Sequence, residues 1–307
     1  IIFVLGCDPG FKYNNTYITI IKSMGKKTRS FILKDALDFA EAGRFSDAYI
    51  YFTALNAIYP KNSEIAYNIA LSLKEWGAKA EKYNKDEFNF FYKLSFYEFI
   101  KLSEQFPDFW VSYYHLGFYY SNEHEYSKAH DMWTKAYSLC TADESKGELS
   151  DMIESLEAEM SFEEGRKFVI EGNVIGGLRK LIPLVQKYGS WSEAKYYMAL
   201  GYRKSGNYKK AVLLLNELLD AGENFSELYN ELGLCYYNLG NIDNAIKNLE
   251  TAVKMDNMNP AYLCNLAIVC YSSGDKAKTK EYIKKAYEIN PQDEVTCMCK
   301  NWADGLK

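Results

Sequence analysis

The chain has little of what several large classes of protein need. No apolar run approaches the roughly 18–20 residues that span a bilayer, so no integral membrane span is expected. Lysine and arginine number 36 against 41 aspartates and glutamates, a formal charge of −5 that leaves no global basic footprint for nucleic acid. Proline is scarce, 6 in 307 residues, which argues against a loop-rich all-β chain or a collagen-like one. Cysteine stands at Cys7, Cys140, Cys235, Cys264, Cys270, Cys297 and Cys299. That odd, uneven set makes no disulfide scaffold and fits reduced, mostly buried thiols in a cytoplasmic protein. The three histidines, His115, His124 and His130, do not stand beside a cysteine or carboxylate in a metal motif. There is no phosphate-cradling glycine loop, nucleophile elbow or paired-histidine motif. The glycines of Gly172–Gly177 follow no strand, and a repeat accounts for them. An enzyme is not expected, nor is a cofactor or a metal.

What is present is an ordinary folded composition, 48% apolar and 25% charged, with an aromatic excess of 16% that includes 27 tyrosines. The length exceeds what one compact core serves, so two domains or one elongated array is expected. The first residue is Ile1 and not Met, which makes a processed or partial chain the expectation.

Four consecutive segments align without a gap at a spacing of 34, beginning at Ala158, Ser192, Ser226 and Pro260. A small residue stands early in each: Gly165, Ala199, Gly233, Ala267. A glycine then recurs at Gly172, Gly206, Gly240 and Gly274, followed by Asn173, Asn207, Asn241 and Asp275. A second small residue follows at Gly177, Ala211 and Ala245, with Thr279 as the exception. Upstream, Gly43 with Ala48 and Phe52, Ala70 with Gly77, and Gly117 with Ala129 and Trp133 extend the register to starts at Arg29, Ser63 and Trp110. The repeats are 29–62, 63–109 with a 13-residue insertion that lengthens its second helix, 110–143, 158–191, 192–225, 226–259 and 260–293, with a 14-residue acidic insertion at 144–157.

Each unit holds two short amphipathic helices. Glycine takes the left-handed turn between them without steric cost, and the small residues let the paired helices approach closely. One such hairpin cannot bury its apolar face alone, so neighbours must stack.

Tyr229, Leu232-Gly233, Tyr236, Gly240-Asn241, Ala245, Leu249 and Ala252 carry a resemblance to the tetratricopeptide repeat (TPR) family, as do Leu266-Ala267, Gly274-Asp275, Ala286 and Asn290-Pro291. The resemblance implies an all-α, right-handed α-solenoid of about seven helix hairpins spanning 29–293, with a short non-repeat N-terminal segment and a C-terminal capping helix over 294–307. It also implies a non-catalytic scaffold or adaptor that binds a segment of another protein in a concave groove lined by the first helix of each repeat. The alternative is a regulatory or substrate-positioning module of a larger enzyme, or an assembly factor anchored as a lipoprotein.

On the groove face the helical spacing places Tyr67, Leu71, Tyr114, Phe118, Phe162, Arg166, Tyr196, Leu200, Arg203, Asn230, Leu234, Tyr237 and Tyr271. An aromatic and aliphatic groove with few charges is expected; tyrosine supplies contact area at little rotamer cost. The family's basic carboxylate clamp has no match on these faces. Its asparagine ladder is interrupted, since His115, Glu163, Tyr197 and Glu231 stand between Asn68 and Asn265 at the equivalent position. The insertion carries Glu144, Glu148, Asp151, Glu154 and Glu157, a solvated acidic face or a patch for a basic partner.

Residues 1–28 read as an extended or β-hairpin-like extension, because β-branched runs flank turn-forming residues. Three readings of it stand. Val4-Leu5-Gly6-Cys7 resembles a lipobox whose Cys7 is lipidated, giving a membrane-anchored alternative to the cytoplasm, although no basic segment precedes it. Asp8-Pro9-Gly10 resembles a RuvC-type nuclease strand end, with Asp8 as metal ligand. The third and favoured reading is an ordinary extension or the tail of a preceding domain.

Overall fold

The structure, a computed structural model, describes residues 1–8 and 10–305. Pro9 of the expected turn and residues 306–307 of the expected cap lie outside the described residues. The protein is all-α, with seventeen helices among the described residues packed as consecutive hairpins. Two compact units divide the chain at 157/158.

The first unit holds α1 (Ile2–Cys7), α2 (Asn14–Ser23), α3 (Lys26–Glu41), α4 (Phe45–Ile58), α5 (Ser63–Ala80), α6 (Lys85–Gln105), α7 (Trp110–Asn122) and α8 (Tyr126–Leu139). It also holds the first half of α9 (Asp143–Glu171). The second unit takes the rest of α9, then α10 (Val174–Lys187), α11 (Ser192–Lys204), α12 (Tyr208–Asp220), α13 (Ser226–Asn238), α14 (Ile242–Met255), α15 (Pro260–Ser272), α16 (Lys276–Ile289) and α17 (Glu294–Asp304). The last helix covers α15 and α16. Its inward residues include Ala303 and Cys299, while Met298 stays exposed.

Hairpin closure follows from the small residues. Gly117 lies directly against the Trp133 ring, whose Nε1 donates to the Tyr114 carbonyl at 3.0 Å. A methyl group at Gly233 would sit 2.5 Å from Leu249 Cγ, and one at Gly165 would sit 2.9 Å from Leu181 Cγ. Ala48, Ala129, Ala211 and Ala245 are wholly buried at the corresponding points. Thr279 fits among them because its hydroxyl donates to the Asp275 carbonyl at 2.8 Å, so burial leaves nothing unpaired.

The turns use both residues of the Gly-Asn/Asp pair. Gly206 and Gly240 adopt φ of 81° and 78°. The amide after each closes back five residues, as with Asn241 N to Tyr236 O at 2.9 Å. Asn207, Asn241 and Asp275 then cap the next helix by accepting an amide three residues on. In the third hairpin the glycine's place is taken by His124, which holds φ of 58°.

Four sequence expectations need correction. The N-terminal segment is helical, not extended: α1 and α2 pack on α4, with Leu5 and Ile21 in its core and Gly6 against the backbone of Ile50. The β-branched residues mislead there because no strand partner exists among the described residues, and a helix satisfies its own backbone. Asp8 therefore ends a helix, not a strand, and accepts from the Gly10 amide at 3.0 Å. The insertion in the second repeat lengthens both helices. α5 has 18 residues where α7, α11, α13 and α15 have 13, and α6 has 21 where most second helices have 14. Gly77 is accordingly no turn glycine; it sits inside α5 with space for its missing side chain 3.1 Å from Phe91 Cβ. The acidic insertion is not a separate segment either, since it continues without a break into the next repeat as the 29 residues of α9.

His115 is buried on α7 between the rings of Phe99 (centroids 4.6 Å apart) and Tyr67 (5.7 Å). Burial, with the charge of Lys74 nearby, pushes its pKa down from 6.5 to about 3. Since the folded state resists the proton, the unfolded chain binds it more readily. The stability that neutral His115 contributes is complete above about pH 6.5 and is lost progressively as pH falls toward about 3. Urea midpoints at about pH 7 and pH 5 should therefore separate for the native chain and draw together in His115→Phe. Equal separations in the two proteins would contradict this. His124→Gly relieves a left-handed residue that costs on the order of 1–2 kcal/mol in a side-chain-bearing residue. It should raise unfolding stability by roughly 1 kcal/mol, and a fall would show that the turn is not strained.

Candidate functional site

The first helices of the repeats carry the expected groove residues, and their surroundings differ within each unit. In the first unit Tyr67 is half-buried, stacked on His115 with its hydroxyl 3.4 Å from Nε2. Leu71 is half-buried one turn further on. Tyr114 donates to Glu148 Oε1 at 2.8 Å; burial first, then that carboxylate, raises its pKa to about 12. Phe118 is exposed over a third of its surface and stands edge-on to Trp133 (5.3 Å) and Tyr114 (5.1 Å).

In the second unit α11 touches α13 and α13 touches α15, so their first-helix faces form one continuous strip. Tyr196, Leu200, Leu234 and Tyr237 are half-buried on it and Tyr271 is exposed. Tyr196 meets Phe225 and Tyr197 edge-on at 5.4 Å each, and its burial raises its pKa. The Tyr237 hydroxyl lies 3.0 Å from Ser272 Oγ, and Tyr271 stands edge-on to Trp302 at 5.1 Å.

Two of the expected groove residues are not on open surface. Phe162, on α9, is buried against Trp191 (4.9 Å), which caps α11, and Tyr197 of α11 (6.0 Å). Asn230 is buried as well. It belongs to a polar chain that the residue pattern does not announce. Asn265 Nδ2 donates to Asn230 Oδ1 at 2.8 Å, Asn230 Nδ2 reaches Glu231 Oε1 at 3.5 Å, and Arg203 Nε donates to Glu231 Oε2. Burial pushes the Glu231 carboxyl up, against the pull of Arg203. It also raises the Cys235 thiol one turn away to about 12.

The expectation of few charges therefore needs amendment: a buried ion pair underlies the aromatic strip. Its only sequence signal was Glu231 at the interrupted ladder position, with Arg203 one repeat earlier. A second, more exposed pair lies within α9, where Glu163 at the register position of Glu231 pairs with Arg166 three residues on (Nη2–Oε2 2.7 Å), with the guanidinium 5.8 Å from the Tyr197 ring centre.

Glu144, Glu148, Asp151, Glu154 and Glu157 lie on the first half of α9, at or near the surface. Glu148 receives the Tyr114 hydroxyl, and Glu157 Oε1 lies 3.0 Å from His130 Nε2. Cys7 is exposed at the end of α1. A lipoprotein cleavage before it would remove Leu5 and Gly6 from the core against α4. No helix of the described residues is long and apolar enough to cross a membrane.

Comparison with known proteins agrees with the repeat register. A TPR repeat profile matches residues 235–274, and tetratricopeptide repeat profiles match 196–247 and 260–293. No curated protein matches the sequence. Among solved structures, a thermophilic TPR protein of Thermus thermophilus is 19% identical, covering 64% of this chain and 100% of its own, with a TM-score of 0.44. A tetratricopeptide repeat protein of Parabacteroides merdae is 13% identical, covering 91% and 100%, with a TM-score of 0.43. The glycine-turned helix hairpins and these matches together show tetratricopeptide repeats through residues 196–293.

Proposed function

We propose that the protein is a non-catalytic scaffold whose second unit holds a segment of another protein along the strip formed by α11, α13 and α15. TPR repeat proteins generally mediate protein–protein interactions. The finer reading rests on one observation: the first helices α11, α13 and α15 carry both half-buried Leu200, Leu234 and Tyr237 and the polar chain Asn265–Asn230–Glu231–Arg203.

Burying a carboxylate costs several kcal/mol unless it is paired and hydrogen bonded. Here Arg203 and Asn230 supply that pairing through Nε and Nδ2, which leaves the Arg203 terminal nitrogens and the Asn265 carbonyl to meet a ligand's backbone or acidic groups. The apolar side chains supply contact area, and the fixed polar groups supply register. Within the first unit, the α9 carboxylates suit a separate contact with a basic segment, an attraction that salt weakens.

Selection of twelve-residue peptides from a random displayed library against the protein provides ligands for the test. Leu200→Ala and Tyr237→Ala should each weaken the selected peptides by about tenfold or more, roughly 1.4 kcal/mol, with thermal midpoints unchanged. Undiminished binding by both folded variants would remove the strip from the account.

A further inference from the structure

The 13-residue insertion in the second repeat lengthens both of its helices. Where α5 and α6 run past the ordinary repeat length, a cavity of about 240 Å³ opens between them and α7. Gly77, Ala78, Glu81 and Phe88, which line it, all belong to the extra turns and their connection. Its aromatic wall continues through Tyr92, Tyr119 and Phe118, with Tyr92 and Tyr119 rings 4.7 Å apart and Phe88 5.6 Å from Tyr92. Small Gly77 and Ala78 line the α5 side, with Gly77 packed close to Phe91, and Phe118 is exposed at the edge of the cavity.

Size and charge select the occupant. Pockets for drug-sized molecules and cofactors run to about 300–1,000 Å³, so this one suits a single large side chain instead. A wall of rings favours an aromatic guest, by edge-to-face and offset packing. Lys74, half-buried on the cavity lining, makes no hydrogen bond or ion pair among the described residues. A cation held that way beside an apolar cavity complements a negative group next to the guest ring. Glu81 lies two helical turns along, about 10 Å by the helical rise, and disfavours a second acid at that end.

We propose that this cavity is an anchor site for an aromatic residue of a partner segment that carries an acidic residue beside it, with Lys74 engaging the acid. The site rests on the scaffold reading above for its biological use, but it is separate from the strip on α11, α13 and α15.

The test uses short acetylated, amidated peptides containing Glu followed by 4-fluorophenylalanine, with Lys-4-fluorophenylalanine and Glu-4-fluoroleucine as controls, titrated with the full chain and read by fluorine NMR. The Glu-aromatic peptide should saturate, and each control should bind at least about fivefold more weakly. Ala78 is exposed, so Ala78→Trp should fill the cavity without unfolding the chain and abolish binding. Lys74→Gln should erase the preference for Glu over Lys while leaving the aromatic preference. Leu200→Ala should change none of these values, which separates failure of this site from failure of the strip. Equal binding of the leucine control, or full binding by Ala78→Trp, would overturn the proposal.

Discussion

Everything the protein presents to a partner depends on how closely two helices of one hairpin can approach. That distance is set where a residue with no side chain, or only a methyl, faces a large side chain of its partner helix: Gly117 against Trp133, Gly165 against Leu181, Gly233 against Leu249. Interiors pack at crystal-like density, so one added carbon at such a point must be met by movement of the neighbour. Close hairpins let α11, α13 and α15 touch in series, and the aromatic strip and its underlying ion pair follow from that contact. In the first unit the same constraint, interrupted by the longer α5 and α6, leaves a cavity in place of a filled interface.

The two surfaces differ in origin. The strip repeats, because equivalent positions on successive first helices recur with the period of 34. Its charges lie underneath, where Glu231 is held by Arg203 and Asn230. The cavity belongs to the lengthened second hairpin. It lies beside the point where Gly77, within a helix, meets Phe91, whose ring stacks on Trp76 at 4.2 Å. An insertion that adds helix on both sides of a turn displaces the turn to Glu81–Asn84, where Asn84 caps α6 by accepting the Glu87 amide.

Much of the fold was legible because the repeat makes one physical requirement visible many times over: turn glycines and small interhelical residues recur in register, and Asn or Asp follows the glycine where a helix needs its cap. Legibility failed where a residue type had two physical uses. Gly77 matched the turn position by spacing, yet serves close packing within a longer helix. Ile18, Ile20 and Ile21 favour strands as isolated residues, but in α2 they stand on a helix whose partner is α4. His124 stands in a glycine's place, and nothing in a histidine announces a positive φ. For the candidate site, helical spacing located the ridge on which Leu200, Tyr237 and Tyr271 lie. It could not tell that Phe162 and Asn230 are enclosed, because exposure there depends on which neighbouring helix covers the turn. The Arg203–Glu231 pair joins residues 28 apart, so it belongs to tertiary structure alone.

The close approach itself can be measured against an internal control. Gly233 faces Leu249, whereas Gly147, exposed on α9, has nothing within 4 Å of where a side chain would begin. Urea unfolding of the series Gly→Ala→Val at each position compares packing with helix propensity directly. Gly147→Ala should gain up to about 1 kcal/mol from helix propensity. Substitution at Gly233 should lose stability stepwise, by about 1–3 kcal/mol by valine. A Gly233→Val protein as stable as the native chain, or parallel responses at the two positions, would contradict that expectation.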